Sequence, residues 1–97
     1  MLFRSAPGAP AGLQAVSVDG FVDLFWESNA EPDVAGYHVL RAIAPDTQLA
    51  RVTSELLATP GFRDAVPKDA HVSYAVQAID TAGNASPPSA IVEETAR

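Results

Sequence analysis

Cysteine is absent from the 97 residues. That excludes a disulfide framework, a cysteine-ligated zinc and a thiol nucleophile, and it fits an oxidising or a reducing compartment equally. Lysine occurs once, at Lys68, and only 6 basic residues stand against 12 acidic ones. The resulting net charge of −6 repels phosphate backbones, so nucleic acid is not an expected partner. Long apolar runs are missing too. None approaches the ~20 residues of a membrane span, so membrane insertion is not expected. "MLFRSAPGAPAGL" lacks the apolar stretch of a signal peptide. Histidine is scarce. His38 and His71 have no second His, Cys or paired carboxylate close by, and both are expected to be solvated surface residues. There is no GxSxG elbow, no phosphate-binding glycine loop and no HExxH. Neither catalysis nor a metal or other cofactor is expected.

What is present describes a small folded domain. Apolar residues make up 47% of the chain, enough to drive folding. A chain this long forms one domain and buries roughly two-thirds of its unfolded surface. Eighteen alanines beside a single lysine hint at a GC-rich bacterial source.

The eight prolines act as punctuation, because proline cannot donate to a sheet ladder. Between them lie seven strand-like runs, at about 12–18, 20–27, 36–43, 47–53, 61–65, 71–80 and 89–95. Evenly spaced short strands with turn signals between them predict an all-β sandwich or barrel. Period-two alternation assigns faces. Val22, Leu24 and Trp26 share one face, Tyr37 and Val39 another, and Val72, Tyr74, Val76 and Ala78 a third. Asp19-Gly20 suits a tight turn between the first two runs. Residues 46–58 are ambiguous: Leu49, Val52 and Leu56 have helical spacing and Asp46 could cap a helix, but a strand at 47–53 followed by a loop is preferred.

"SYAVQAIDTAGNASPPS", Ser73 to Ser89, ends in a polar cluster of Asp80, Asn84, Ser86 and Ser89 around Gly83. A calcium loop would need more carboxylates than Asp80 supplies. Asp and Asn side chains that bond nearby N–H groups, with a glycine free to take positive φ, are what a turn needs. The cluster is read as a scaffold corner. Asn84-Ala85-Ser86 is formally a glycosylation acceptor, but Pro87 follows it directly and a chance match is preferred.

Three stretches in order carry a family resemblance. "PAGLQAVSVDGFVDLFW", "EPDVAGYHVLR" with its Gly36, Tyr37, Val39 and Arg41, and "SYAVQAIDTAGNASPPS" are similar to the first hairpin, the third strand and the sixth strand with its turn in fibronectin type III domains of bacterial extracellular proteins. The resemblance runs from about Pro10 to Thr95. It implies an immunoglobulin-like, seven-stranded antiparallel β-sandwich over residues 9–97, with residues 1–8 a linker or an expression-derived N-terminus. True immunoglobulin domains usually flank their tryptophan with two cysteines; Trp26 has neither. There is one departure. The position of the family's corner tyrosine aligns with Val72, so the corner bond is expected to be missing and the chain near Val66 to His71 looser than usual. No Arg-Gly-Asp is present, so integrin-type adhesion is not implied.

The resemblance implies a non-catalytic spacer and protein-interaction module of a larger multidomain protein, extracellular or at the cell surface, and monomeric when isolated. An odd number of strands sends the two chain ends to opposite poles, which suits tandem arrays. Partners would be neighbouring domains or another protein. The alternative is a carbohydrate-binding accessory module of a polysaccharide-degrading enzyme, a reading that two or more exposed coplanar aromatics would support. Candidate contact residues follow from parity. Trp26 is assigned to the core, whereas Phe25 falls on the opposite face and should be half-exposed. On the outward face of the third and sixth runs, Leu40 lies beside Ala75 and Ile79, where polar residues would be ordinary. That patch is covered by the 46–58 segment, is a contact surface, or is exposed by chance.

Overall fold

The computed structural model describes residues 6–97. Seven strands are present: β1 (Gln14–Val18), β2 (Phe21–Phe25), β3 (Val34–Ile43), β4 (Ala50–Arg51), β5 (Gly61–Ala65), β6 (His71–Asp80) and β7 (Val92–Thr95). They form two antiparallel sheets, ordered β1-β2-β5 and β4-β3-β6-β7, and no helix interrupts them. The sheets pack face to face because each presents one apolar side.

The predicted parity holds. Val22 and Leu24 of β2, with Trp26 just beyond it, meet Tyr37 and Val39 of β3 and Val72, Tyr74, Val76 and Ala78 of β6 in a single buried cluster. Trp26 and Tyr37 make an edge-to-face pair, ring centroids 5.4 Å apart at 72°. Pro60 accepts the Trp26 N–H at 3.1 Å and Ala11 the Glu27 N–H at 2.9 Å, so the end of β2 is fixed on both flanks.

The ambiguous 46–58 segment is neither a helix nor a full strand. Only Ala50 and Arg51 pair with β3, opposite Arg41 and Leu40. The chain then returns to β3 at isolated points. Val52 N–H donates to Val39, and Leu57 and Tyr37 exchange backbone bonds at 2.9 and 3.0 Å. Gly36 makes this possible. A Cβ there would lie 2.8 Å from the Leu57 carbonyl oxygen and 2.9 Å from Leu56 Cβ.

Several expectations need correction. His38 is buried rather than solvated, because Thr53 lies over it; His71 is exposed as expected. Ala75 is fully buried, its single methyl lying lower than the longer chain of its register partner Leu40. The corner near Val66 to His71 is not loose. Val72 points inward and cannot donate, but Asp69 N–H donates to Ala96, Ala96 N–H to Ala70, and Ala70 N–H to Pro67. These bonds hold the corner without a tyrosine hydroxyl. At the other end, Pro7 is buried and Gly8 N–H bonds Glu31, so packing reaches back into the stretch read as linker; residues 1–5 of that stretch lie outside the described residues.

Candidate interaction surfaces

The polar cluster at Ser73 to Ser89 is held by its own backbone. Asp80 Oδ1 accepts the N–H of Ala82 (3.0 Å) and of Asn84 (2.8 Å), while Gly83 takes φ 87° at the tip. Ser86 and Ser89 solve a different problem. Pro87 and Pro88 have no N–H, so this stretch cannot continue the ladder of β7 along β6. Each serine replaces a strand residue by itself. Ser86 N–H donates to Ala78 O and its hydroxyl accepts the Ala78 N–H; Ser89 does the same with Val76. The hydroxyl hydrogens go to the carbonyls of Pro87 and Ala90. Among the described residues, no three His, Cys, Asp or Glu side chains converge as metal ligands would.

The four candidate contact residues lie on two separate surfaces. Phe25 is on the outward face of the three-stranded sheet, where it is 43% exposed. Phe21 is exposed on the same face of the same strand. The two Cα atoms are four residues apart, about 13 Å along a strand. Between them Asp23 receives a two-pronged bond from Arg63, at 2.6 and 2.9 Å, and the Arg63 guanidinium sits 4.9 Å from the Phe21 ring centroid. The Arg63 pair holds the Asp23 carboxyl below its ordinary value.

Leu40 and Ile79 are on the outward face of the four-stranded sheet, both half-buried. They line a shallow groove together with His38, Arg51, Leu56, Gln77, Gly83 and Ala85. Ala75, though directly opposite Leu40, does not reach it. The 51–57 segment therefore forms one wall of the patch and leaves it open. Beneath the wall, Thr53 Oγ1 accepts the Val39 N–H at 3.2 Å and lies 2.8 Å from Nδ1 of His38. With that oxygen already accepting, its hydroxyl hydrogen is available to His38, which suits a neutral imidazole. Burial first, and the Arg51 charge second, hold the His38 pKa below its ordinary value.

One cluster escaped the sequence reading. Asp64 of β5 points between the sheets. It accepts the Tyr74 hydroxyl at 2.7 Å and the Arg41 guanidinium at 2.9 and 3.0 Å. Burial and the bond to Asp64 push the Tyr74 hydroxyl well above its ordinary pKa. A signal was available: Asp64 shares parity with Phe62, and a carboxylate at an inward position requires a buried partner. Arg41 and Tyr74 are register partners on β3 and β6, so the three groups tie one sheet to the other.

No family model matches the sequence, and no curated protein matches it. Solved structures do. An Fn3-like protein from Clostridium thermocellum has 24% identity over 92% of this chain and 92% of its own, with a TM-score of 0.78. The fn3 domain of human contactin 1 has 22% identity, 97% and 82% coverage, and a TM-score of 0.77. A β-1,2-glucanase from Parabacteroides distasonis has 26% identity over 95% of this chain but only 14% of the enzyme, at a TM-score of 0.77. Two sheets with these strand orders, a Trp–Tyr core and this likeness agree: the chain folds as a fibronectin type III domain.

Proposed function

We propose that the chain is a non-catalytic spacer and protein-interaction module of a larger bacterial protein, extracellular or at the cell surface. The observation that carries this reading is the path of the chain. Gly8 is held beside Asn29 and Glu31 at one pole, and Arg97 N–H bonds Ser17 near the opposite pole, where Asp69 N–H is bonded to Ala96. Chain entering at one end of a rigid sandwich and leaving at the other transmits distance and orientation between neighbours. The match to a small part of a long glucanase chain accords with a modular role. The test is small-angle scattering on two copies joined end to end. A maximum dimension roughly double that of one copy is expected, as for domains that touch only through a linker. A pair folded back side by side would overturn the reading.

A second reading is favoured by one observation, the exposure of both Phe21 and Phe25 on the outward face of the three-stranded sheet with the Asp23–Arg63 pair between them. Two exposed aromatic rings flanking hydrogen-bonding groups, one of them with Arg63 over its face, suit a sugar chain laid along β2. Likeness to part of a β-1,2-glucanase accords with it. Electrophoresis through gels containing soluble β-1,2-glucan should retard the chain, and Phe25→Ala should restore free migration. Unretarded migration of the parent chain would remove this reading and leave the spacer role standing.

A further inference from the structure

The groove on the four-stranded sheet has a chemistry unlike the rest of the molecule. Leu40 of β3 and Ile79 of β6 form its floor, Leu56 and Arg51 one wall, and Gly83 and Ala85 the other. Its volume is about 570 Å³. Leu56 stands 42% exposed beside it, held there by the close approach of the 56–57 backbone to Gly36. The chain carries 12 acidic residues, and none lines the groove. Two of its arginines are committed elsewhere: Arg41 is paired with Asp64 and Arg63 with Asp23. Arg51 is different. It is exposed at the groove's lip and forms no ion pair among the described residues. On a molecule of net charge −6, an apolar, carboxylate-free groove with an available guanidinium favours a negative group next to an apolar one.

Building on the interaction-module reading, we propose that this groove docks a partner-protein segment that carries an apolar side chain of about leucine size beside a carboxylate. The apolar side chain fills the space over Leu40, Ile79 and Leu56. The carboxylate pairs with Arg51, whose planar fork can take both oxygens. Gln77 also lines the groove, its Nε2 donating to Ser86 O at 2.9 Å. A sugar chain is less suited to this face, since no Phe, Tyr or Trp ring lines it.

The test is a heteronuclear NMR titration of the whole chain at neutral pH with three blocked tetrapeptides: Leu-Glu-Leu-Glu, Leu-Gln-Leu-Gln and Leu-Lys-Leu-Lys. Saturable shifts confined to the amides of Leu40, Arg51, Leu56, Ile79 and Ala85 are expected with the acidic peptide. Binding of the neutral peptide should be about tenfold weaker, the loss of roughly one charge-assisted pair. Arg51→Glu should abolish the response to the acidic peptide and create one to the basic peptide, an inversion that mere loss of folding cannot produce. Equal binding of all three peptides, shifts that map elsewhere, or no saturable shift would overturn the proposal. Concentration-dependent self-association at the same amides without peptide would also overturn it, in favour of a second copy. The scattering test measures geometry and not binding, so the spacer reading stands or falls separately.

Discussion

Protonating His38 places a charge where the chain has little to offer it. The ring is buried, the nearest ionic neighbour is Arg51, and Thr53 Oγ1 already accepts from the Val39 N–H. The folded chain therefore binds a proton at His38 less readily than the unfolded chain, whose imidazole titrates near the ordinary 6.5. By linkage, the stability that depends on neutral His38 is complete above about pH 6.5 and is lost as pH falls from there through the lowered folded-state pKa. Urea unfolding of the parent chain and of His38→Gln at a series of pH values isolates this contribution from that of the carboxylates. The parent should lose more stability than the variant between neutral pH and about pH 5. Parallel pH profiles would mean that solvent reaches the ring. His38 also marks a limit of reading residues from alternation. Alternation places it correctly on the outward face of β3. What covers that face comes from residues fifteen positions away, through Thr53, and no local pattern carries it.

At the scale of the strand, much was legible because strands announce themselves by parity and by the prolines that bound them. Five of the seven runs were placed within about two residues, the usual uncertainty of element ends. The sequence predicts the last run over 89–95, and the structure begins β7 at Val92. The reason is physical: Pro87 and Pro88 displace the ladder, and Ser86 and Ser89 bridge the gap with side chain and backbone together. The shortening of β4 has a similar origin: Val52 N–H still donates to Val39 O, but the Val39 N–H goes to the Thr53 hydroxyl, and the regular ladder ends there. The turn itself was legible, because Asp80, Gly83 and Asn84 are turn chemistry at turn spacing. The serine bridges yield a prediction. Ser86→Ala should leave the buried Ala78 N–H without a partner, at a cost of roughly 1–3 kcal/mol. Ser89→Ala should do the same to Val76. Hydrogen exchange should show the affected amide less protected in each variant, while the amides of β3 stay as they were. Unchanged exchange at Ala78 in Ser86→Ala would show that water or a shifted carbonyl replaces the hydroxyl.

At the scale of the molecule, two sheets are held by an apolar core and by one polar tie. The core alone would permit small sliding of one sheet on the other, since apolar contact is not directional. The tie is directional: Asp64 on β5 is bound by Arg41 and Tyr74, which are adjacent across β3 and β6. A buried ion pair is often no more stable than the apolar groups that would replace it, because desolvation offsets much of the attraction. Breaking it is another matter. Asp64→Ala leaves the fully buried Tyr74 hydroxyl without its acceptor and Arg41, about a quarter exposed, without its counter-charge. A loss of roughly 3–5 kcal/mol is expected from urea unfolding, a large share of the ~5–15 available to a domain of this size. The combined variant Arg41→Met, Asp64→Leu, Tyr74→Phe should recover most of that loss, because no unpaired group remains. If the tie serves orientation rather than stability, the recovered variant should still show altered methyl–methyl contacts within the core cluster by NMR, between Val22 and Leu24 of one sheet and the valines of the other. Full recovery of stability with unchanged inter-sheet contacts would show that packing alone fixes the sandwich. A single Asp64→Ala loss below about 1 kcal/mol would show that solvent enters to hydrate the pair and that the tie contributes little to either.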